Sequence, residues 1–135
     1  MIRAVKEEDR QAIKSLAQWF ASTFQEKAFD ATWEKLLGSR DACFLVAEDD
    51  GAVKGYLLGC VHPTYSATGP VGYVEQVVVK EDSRGRGFGR DLVAGFETWA
   101  RQSGCRLVAL ATRYASGFYE SMGYEESAAY FRKRL

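Results

Sequence analysis

The sequence predicts an α/β fold, and three observations carry that prediction. Apolar runs of strand length alternate with segments whose apolar residues recur every three or four positions. An Asp-Gly pair separates two of the apolar runs, the signal of a tight β-hairpin. A valine-rich run passes through a glycine-rich turn into an amphipathic segment and then into another apolar run. A strand, a crossing helix and a second strand make a parallel pair, so residues 71–79 and 106–111 are expected to be parallel neighbours.

Taken in order, residues 2–5 read as a short first strand. Glu7, Glu8 and Asp9 then open a helix, where the helix dipole favours negative charge. Ile13, Leu16, Ala17, Phe20 and Phe24 share one face of it. A second helix is expected over residues 30–37, ending at Gly38. Residues 43–47 and 53–61 form the hairpin around Glu48-Asp49-Asp50-Gly51. Residues 62–70, rich in Pro, Ser, Thr and Gly, read as a loop, and residues 71–79 as a long strand. Over residues 87–102, Leu92, Val93, Phe96, Trp99 and Ala100 line one helical face, and Gly104 follows as a stop. Residues 106–111 have a buried-strand pattern. A short helix over residues 115–122 ends at Gly123, which fits a left-handed cap. Residues 127–135 alternate and are expected to close the chain as a strand.

The chain has 135 residues, the usual size of one domain and enough to bury a core without staples. No repeat, low-complexity tract or linker interrupts it, so one domain over residues 1–135 is expected. Lysine plus arginine number 18 and aspartate plus glutamate number 18, a formal net charge of zero. A nucleic-acid or anionic-membrane partner usually leaves a basic surplus, so neither is expected. Cys43, Cys60 and Cys105 have no short spacing and read as reduced core thiols, with no metal set among them. No leader-like apolar run opens the chain, and none reaches the ~18 residues of a membrane span. A soluble, cytoplasmic protein is expected.

The most informative segment is Val77-Val78-Val79-Lys80-Glu81-Asp82-Ser83-Arg84-Gly85-Arg86-Gly87-Phe88-Gly89-Arg90. Glycine lets the backbone turn tightly and approach a ligand closely. The first N–H groups of a helix lack intrahelical partners and can point at a phosphate, which the dipole helps to hold. Arg84, Arg86 and Arg90 add positive charge. The segment is not a P-loop, because no Gly-Lys-Ser/Thr ends it. Its glycine spacing is also wrong for the dinucleotide fingerprint.

Arg84-x-x-Gly87-x-Gly89 after a strand ending in Val79 resembles the coenzyme A signature of the GNAT superfamily of N-acetyltransferases. The later run Ala115-Ser116-Gly117-Phe118-Tyr119-Glu120-Ser121-Met122-Gly123-Tyr124 is similar to a second segment of that family, a short helix carrying a tyrosine before a Gly-aromatic pair. The resemblance covers nearly the whole chain. It implies a mixed, mostly antiparallel sheet of six to seven strands, with helices on both faces and with residues 71–79 splaying from residues 106–111 at the ligand end. It implies acetyl-CoA as cosubstrate, with the main chain of Val77, Val78 and Val79 along the thioester and pantetheine arm. Gly85, Arg86, Gly87, Phe88, Gly89 and Arg90, with Arg84 beside them, would cradle the pyrophosphate. Ala115 would lie near the coenzyme. Thr112 stands where the family often has asparagine, which weakens that contact.

Tyr119 is the expected proton donor to the leaving thiolate, set against a plain core role beside Phe118 and Met122. Glu75 lies in an otherwise apolar strand, where a carboxylate faces a cleft or carries a desolvation cost. An amine substrate of pKa ~10.4 must lose a proton before it attacks, and similar family members carry a glutamate here. Glu75 is therefore the expected base, directly or through water, and partial burial would help it by raising its pKa. The alternative is a solvent-facing residue paired across the sheet. His62 is the single histidine and reads as a loop or edge residue, with a substrate-site role as the alternative. Trp19 and Trp33 read as core, set against the part in shaping the acceptor pocket that the resemblance implies for their region.

The resulting expectation is acetyl transfer to a primary amine by direct attack in a ternary complex. The acceptor is expected to be a small molecule, and a homodimer is an allowed assembly. The alternatives are a protein N-terminus or lysine as acceptor, or a coenzyme A-binding sensor domain without chemistry.

Overall fold

The computed structural model describes residues 1–65 and 69–135. Their elements run β1 (Ile2–Ala4), α1 (Arg10–Phe20), α2 (Glu26–Leu37), β2 (Ala42–Asp49), β3 (Ala52–His62), β4 (Val71–Val79), α3 (Phe88–Gln102), β5 (Leu107–Leu110) and α4 (Ser116–Glu120). The five strands form one sheet in sequence order. Neighbours are antiparallel from β1 to β4, and β4 and β5 are parallel. The expected α/β class, hairpin and parallel pair are all present.

Each sheet face is buried against different helices. Leu92, Val93, Phe96 and Ala100 of α3 pack on Cys43, Ala47, Leu57 and Val74. Ile13 and Leu16 of α1, with Trp33 of α2, pack on Val46, Tyr56 and Val78. Successive strand residues point to opposite faces, so Val46 and Ala47, or Tyr56 and Leu57, serve the two layers in turn. The hairpin turn has Asp50 at φ 52° and Gly51 at φ 74°, the double positive φ of a type I′ turn.

Several expectations need correction. Among the described residues the sheet has five strands, fewer than the six to seven implied. Residues 127–135 form no strand and are exposed, because their alternating side chains meet no layer that would bury them. Phe24 lies beyond the end of α1, and α2 starts a turn earlier than residue 30. Glu7–Asp9 is a 3₁₀ turn rather than the first turn of α1. In the expected loop, His62 belongs to β3 and residues 66–68 lie outside the described residues.

The start of the chain is fixed by one buried carboxylate. Arg3 donates two hydrogen bonds to Asp9, at 2.8 and 2.9 Å, and the Lys6 N–H donates a third at 2.8 Å. Arg3 also reaches Glu48 at 3.3 Å, which joins β1 to the end of β2. The Arg3 bonds, helped by the Lys6 amide, lower the Asp9 pKa against the opposing effect of burial. A depressed carboxylate contributes stability above its unfolded pKa of ~3.9 and loses it as pH falls through the folded value. Asp9→Asn should therefore cost about 2–3 kcal/mol at pH 7, below the ~3–5 kcal/mol of a fully buried pair because Arg3 keeps Glu48. In urea unfolding, the gap between the two proteins should narrow below pH ~4.

Candidate active site

β4 carries one residue more than its partner strand at a single point. Leu58 pairs with Gln76 and Gly59 with Val74, so Glu75 is the extra residue of a bulge. The side-chain alternation changes there. Val74 and Val77 both pack toward α3, although they are three residues apart. Val78 faces α1, and Gln76 accepts a hydrogen bond from Tyr56 on that same side. Bulges bend and twist the strand that carries them. Pairing with β5 ends at Val74 and Leu110, one residue before the bulge. Beyond it, residues 75–79 have no β5 partner, and the two strands part as expected.

At the end of this open edge the chain turns through the glycine segment. Gly85 has φ 77° and Gly87 φ 89°, conformations that side chains rarely adopt. A Cβ at either would meet nothing within 4 Å. Helix α3 starts at Phe88, and its first backbone bond runs from the Asp91 N–H to the Gly87 carbonyl. The amides of Phe88, Gly89 and Arg90 precede that bond and have no helical acceptor. Gly89 has another role: a Cβ there would lie 3.4 Å from the Phe118 ring, so its absence lets α4 approach α3.

The three arginines are more engaged than the sequence suggests. Arg86 bonds Asp49 at 2.8 Å and lies over the Phe88 ring. Arg84 stacks on Trp19 at 4.8 Å and donates to the Val79 carbonyl at 3.4 Å. Arg90 donates to the Ser121 hydroxyl at 3.0 Å. Trp19 is thus exposed and stacked, not in the core, whereas Trp33 is buried and donates its ring N–H to Glu7 at 2.8 Å. Thr112 accepts the Ala115 N–H at 3.1 Å, a local turn bond.

Tyr119 is held at the C-terminal end of its helix. The Tyr124 N–H donates to the Tyr119 carbonyl at 3.1 Å, and the Gly123 N–H to the Glu120 carbonyl at 3.0 Å. With Gly123 at φ 92°, this is a Schellman ending, in which the residues at the two ends of the longer bond also make a hydrophobic contact. Accordingly, the rings of Tyr119 and Tyr124 meet edge to face at 5.7 Å. The Tyr124 hydroxyl donates to Glu97 at 2.8 Å and anchors the pair to α3. Val77, Leu110, Phe118 and Tyr119 all pack on the same core cluster beneath α3. Burial raises the Tyr119 pKa.

Glu75 is exposed, so the partial burial expected of it is not found. Its carboxylate is near the Tyr73 phenol and the Cys60 thiol, and adds to burial in raising the pKa of both. His62 is exposed at the end of β3. All three cysteines are free, and burial pushes the Cys43 thiol up to about 12. No group of side chains among the described residues could hold a metal ion.

Residues 10–124 match the Acetyltransferase (GNAT) family. The chain belongs to the GNAT acetyltransferase family. The aminoglycoside N(6′)-acetyltransferase type 1 of Stenotrophomonas maltophilia is 31% identical over 111 residues, which cover 76% of this chain and 72% of that enzyme. The glucosamine 6-phosphate N-acetyltransferase 1 of Oryza sativa subsp. japonica is 37% identical over 107 residues, 75% of this chain and 64% of that one. Among solved structures, a putative acetyltransferase from Agrobacterium tumefaciens str. C58 superposes with a TM-score of 0.89 at 25% identity, covering 100% of this chain and 99% of its own. An aminoglycoside N-acetyltransferase in complex with CoA shares the fold, with a TM-score of 0.89 at 23% identity, covering 100% of this chain and 95% of its own. This chain is an acetyl-CoA-dependent N-acetyltransferase.

The acetyltransferase has features suited to such a coenzyme: an unpaired strand edge, open space at two glycines, and free amides at a helix start. A cavity of ≈ 560 Å³ lies on the α1 side, between Trp19 and the Lys80, Glu81 and Asp82 segment, with no lining residue from β5, α3 or α4. It is distinct from the gap between β4 and β5. The bulge, the Tyr56–Gln76 bond and the Trp19–Arg84 stack escaped sequence reasoning. One signal for the bulge was present, since glycine inside a strand often marks one. Gly59 lies opposite it, where a Cβ would collide with the Phe96 ring.

Gly87→Ala should cost about 1–2 kcal/mol of stability, the strain of a left-handed residue. Titration calorimetry on the folded variant should show coenzyme A affinity lowered at least about tenfold. Arg86→Ala should lower it less, since Asp49 already neutralises that guanidinium. Unchanged affinity in folded Gly87→Ala would place the coenzyme elsewhere.

Proposed function

We propose that this acetyltransferase moves an acetyl group from acetyl-CoA to the primary amine of a small molecule, by direct attack in a ternary complex. The observation that carries the reading is the end of β4–β5 pairing at Val74 and Leu110, with the glycine turn following β4 and Tyr119 packed on the core cluster that Val77 and Leu110 also touch. Acetyl-CoA supplies a thioester whose acetyl carbon accepts the amine and whose sulfur leaves as a thiolate. The amides of Phe88, Gly89 and Arg90 hold the pyrophosphate, with the α3 dipole adding attraction. Main-chain groups of Val77, Val78 and Val79 orient the pantetheine arm, and Ala115 and Thr112 flank it.

Glu75 takes the proton that the ammonium must lose, directly or through water, because its exposed carboxylate projects at the bulge. Tyr119 donates its proton to the departing sulfur and is restored by the proton that the attacking nitrogen sheds as the amide forms. Its raised pKa means that it keeps the proton until negative charge develops there. No cysteine is an acyl carrier in this scheme. The relatives named for aminoglycosides and glucosamine 6-phosphate support a small amine as acceptor.

Tyr119→Phe keeps the ring packing and removes the hydroxyl. Steady-state rates should fall by roughly 10²- to 10⁴-fold, with coenzyme A affinity within a few-fold. Full rate in this variant, with thiol release rate-limiting, would reduce the hydroxyl to packing. In the unsubstituted enzyme, a phenol raised by burial stays protonated beyond its ordinary pKa of ~10, so the alkaline loss of rate assigned to it should begin above that pH. Glu75→Gln removes the proposed base and should lower the steady-state rate. Its loss should be smaller than that of Tyr119→Phe, because water can take the proton in part.

A further inference from the structure

We infer that the acceptor amine carries an apolar group of about phenyl or isobutyl size, received in a cavity between the α1–α2 layer and the sheet. This deepens the reading above and rests on the acceptor lying at Glu75. The cavity has a volume of ≈ 170 Å³, and Phe24, Phe29, Phe44, Leu58 and Gln76 are among its walls. Leu58 and Gln76 pair with each other next to the bulge at Glu75, and both line the cavity, so it adjoins the proposed site of proton removal.

Three features identify the occupant as apolar. First, no charged side chain lines the cavity. The Gln76 carbonyl oxygen already accepts the Tyr56 hydroxyl at 2.8 Å. Second, the walls are an aromatic series from the α1–α2 connection to the sheet: Phe24 to Phe29 at 5.7 Å, Phe29 to Trp33 at 5.8 Å, Trp33 to Phe44 at 5.6 Å and Phe44 to Tyr56 at 6.0 Å. Third, the acidic side chains of α2 are turned to other partners. Asp30 bonds Arg10 and Lys14, Glu26 bonds Lys14, and Glu34 bonds Arg10. A polycationic or phosphorylated sugar finds no matching charge in this cavity.

The size supports the same conclusion. Protein interiors leave few voids larger than a water molecule, because unfilled apolar space is costly. An apolar cavity of about 150 Å³ stays dry and admits benzene. A void of this volume beside a reacting centre therefore suits one ring or one branched alkyl group.

The test compares 2-phenylethylamine, glucosamine 6-phosphate and neamine as acceptors by thiol release. kcat/KM should be at least about tenfold higher for 2-phenylethylamine than for either polar amine, since a single methylene in an apolar pocket is worth roughly 10- to 200-fold. Ala21→Leu, which places a branched side chain at the cavity wall, should remove most of that preference while coenzyme A affinity stays within about twofold. If Ala21→Leu fails to fold, Leu58→Ala decides: enlarging the cavity should move the preference toward tryptamine. Equal or faster turnover of the polar amines, or a preference that survives both substitutions, would overturn the inference and leave the amine acetyltransferase reading intact. Coenzyme A binding with no turnover of any amine would instead overturn that reading, and this inference with it.

Discussion

The structure depends on one unpaired residue in β4. Without the extra position at Glu75, Val74 and Gln76 would share a face, and the strand would alternate evenly to its end. With it, Gln76 and Val78 face α1 while Val77 faces α3. The bend belongs to the same defect, and it falls where β5 ceases to pair. A proposed base, an open backbone edge and a change of facing therefore share one local cause. Gly59 completes it from the neighbouring strand, because the Phe96 ring occupies the space of a side chain there.

A second set of contacts ties the proposed donor to the coenzyme end. Gly89 is at the start of α3, and Phe118 packs against it from α4. Tyr119 follows Phe118, and its ring is fixed by Tyr124, which Glu97 of α3 holds by a hydrogen bond. The first turn of α3, through Gly89, and Glu97 farther along it thus both bear on the placement of one ring. The arginines contribute less than their number suggests, since Arg84, Arg86 and Arg90 each have partners within the chain.

What the sequence shows and what it hides divide along physical lines. The Asp50-Gly51 turn, the strand over residues 71–79 and the stops at Gly104 and Gly123 are local, and local chemistry announces them. Gly104 and Gly123 both have positive φ and both carry the paired bonds of a Schellman ending. The glycine turn is legible because three glycines and three arginines between a strand and a helix are a dense signal. The bulge is a relation between two strands: Gly59 hints at it, but its place in β4 appears only once Leu58 and Gly59 meet that strand. Residues 127–135 mislead for a related reason: alternation names the residues that would face a layer but does not provide one. Trp19 reads as core from its place on the first helix, yet it is exposed, under Arg84.

The two halves of the proposed site are made of different material. As proposed, the coenzyme half relies on main-chain amides at the start of α3 and along the edge of β4, and every residue except proline provides an amide. Most side-chain changes there leave the binding groups in place, with the left-handed Gly85 and Gly87 as the sensitive exceptions. The acceptor half is walled by Phe24, Phe29, Phe44 and Leu58, where any substitution alters the shape. Sequence drift is therefore buffered on one side of the reaction and expressed on the other. A scaffold of this kind can keep its donor while its acceptors diverge.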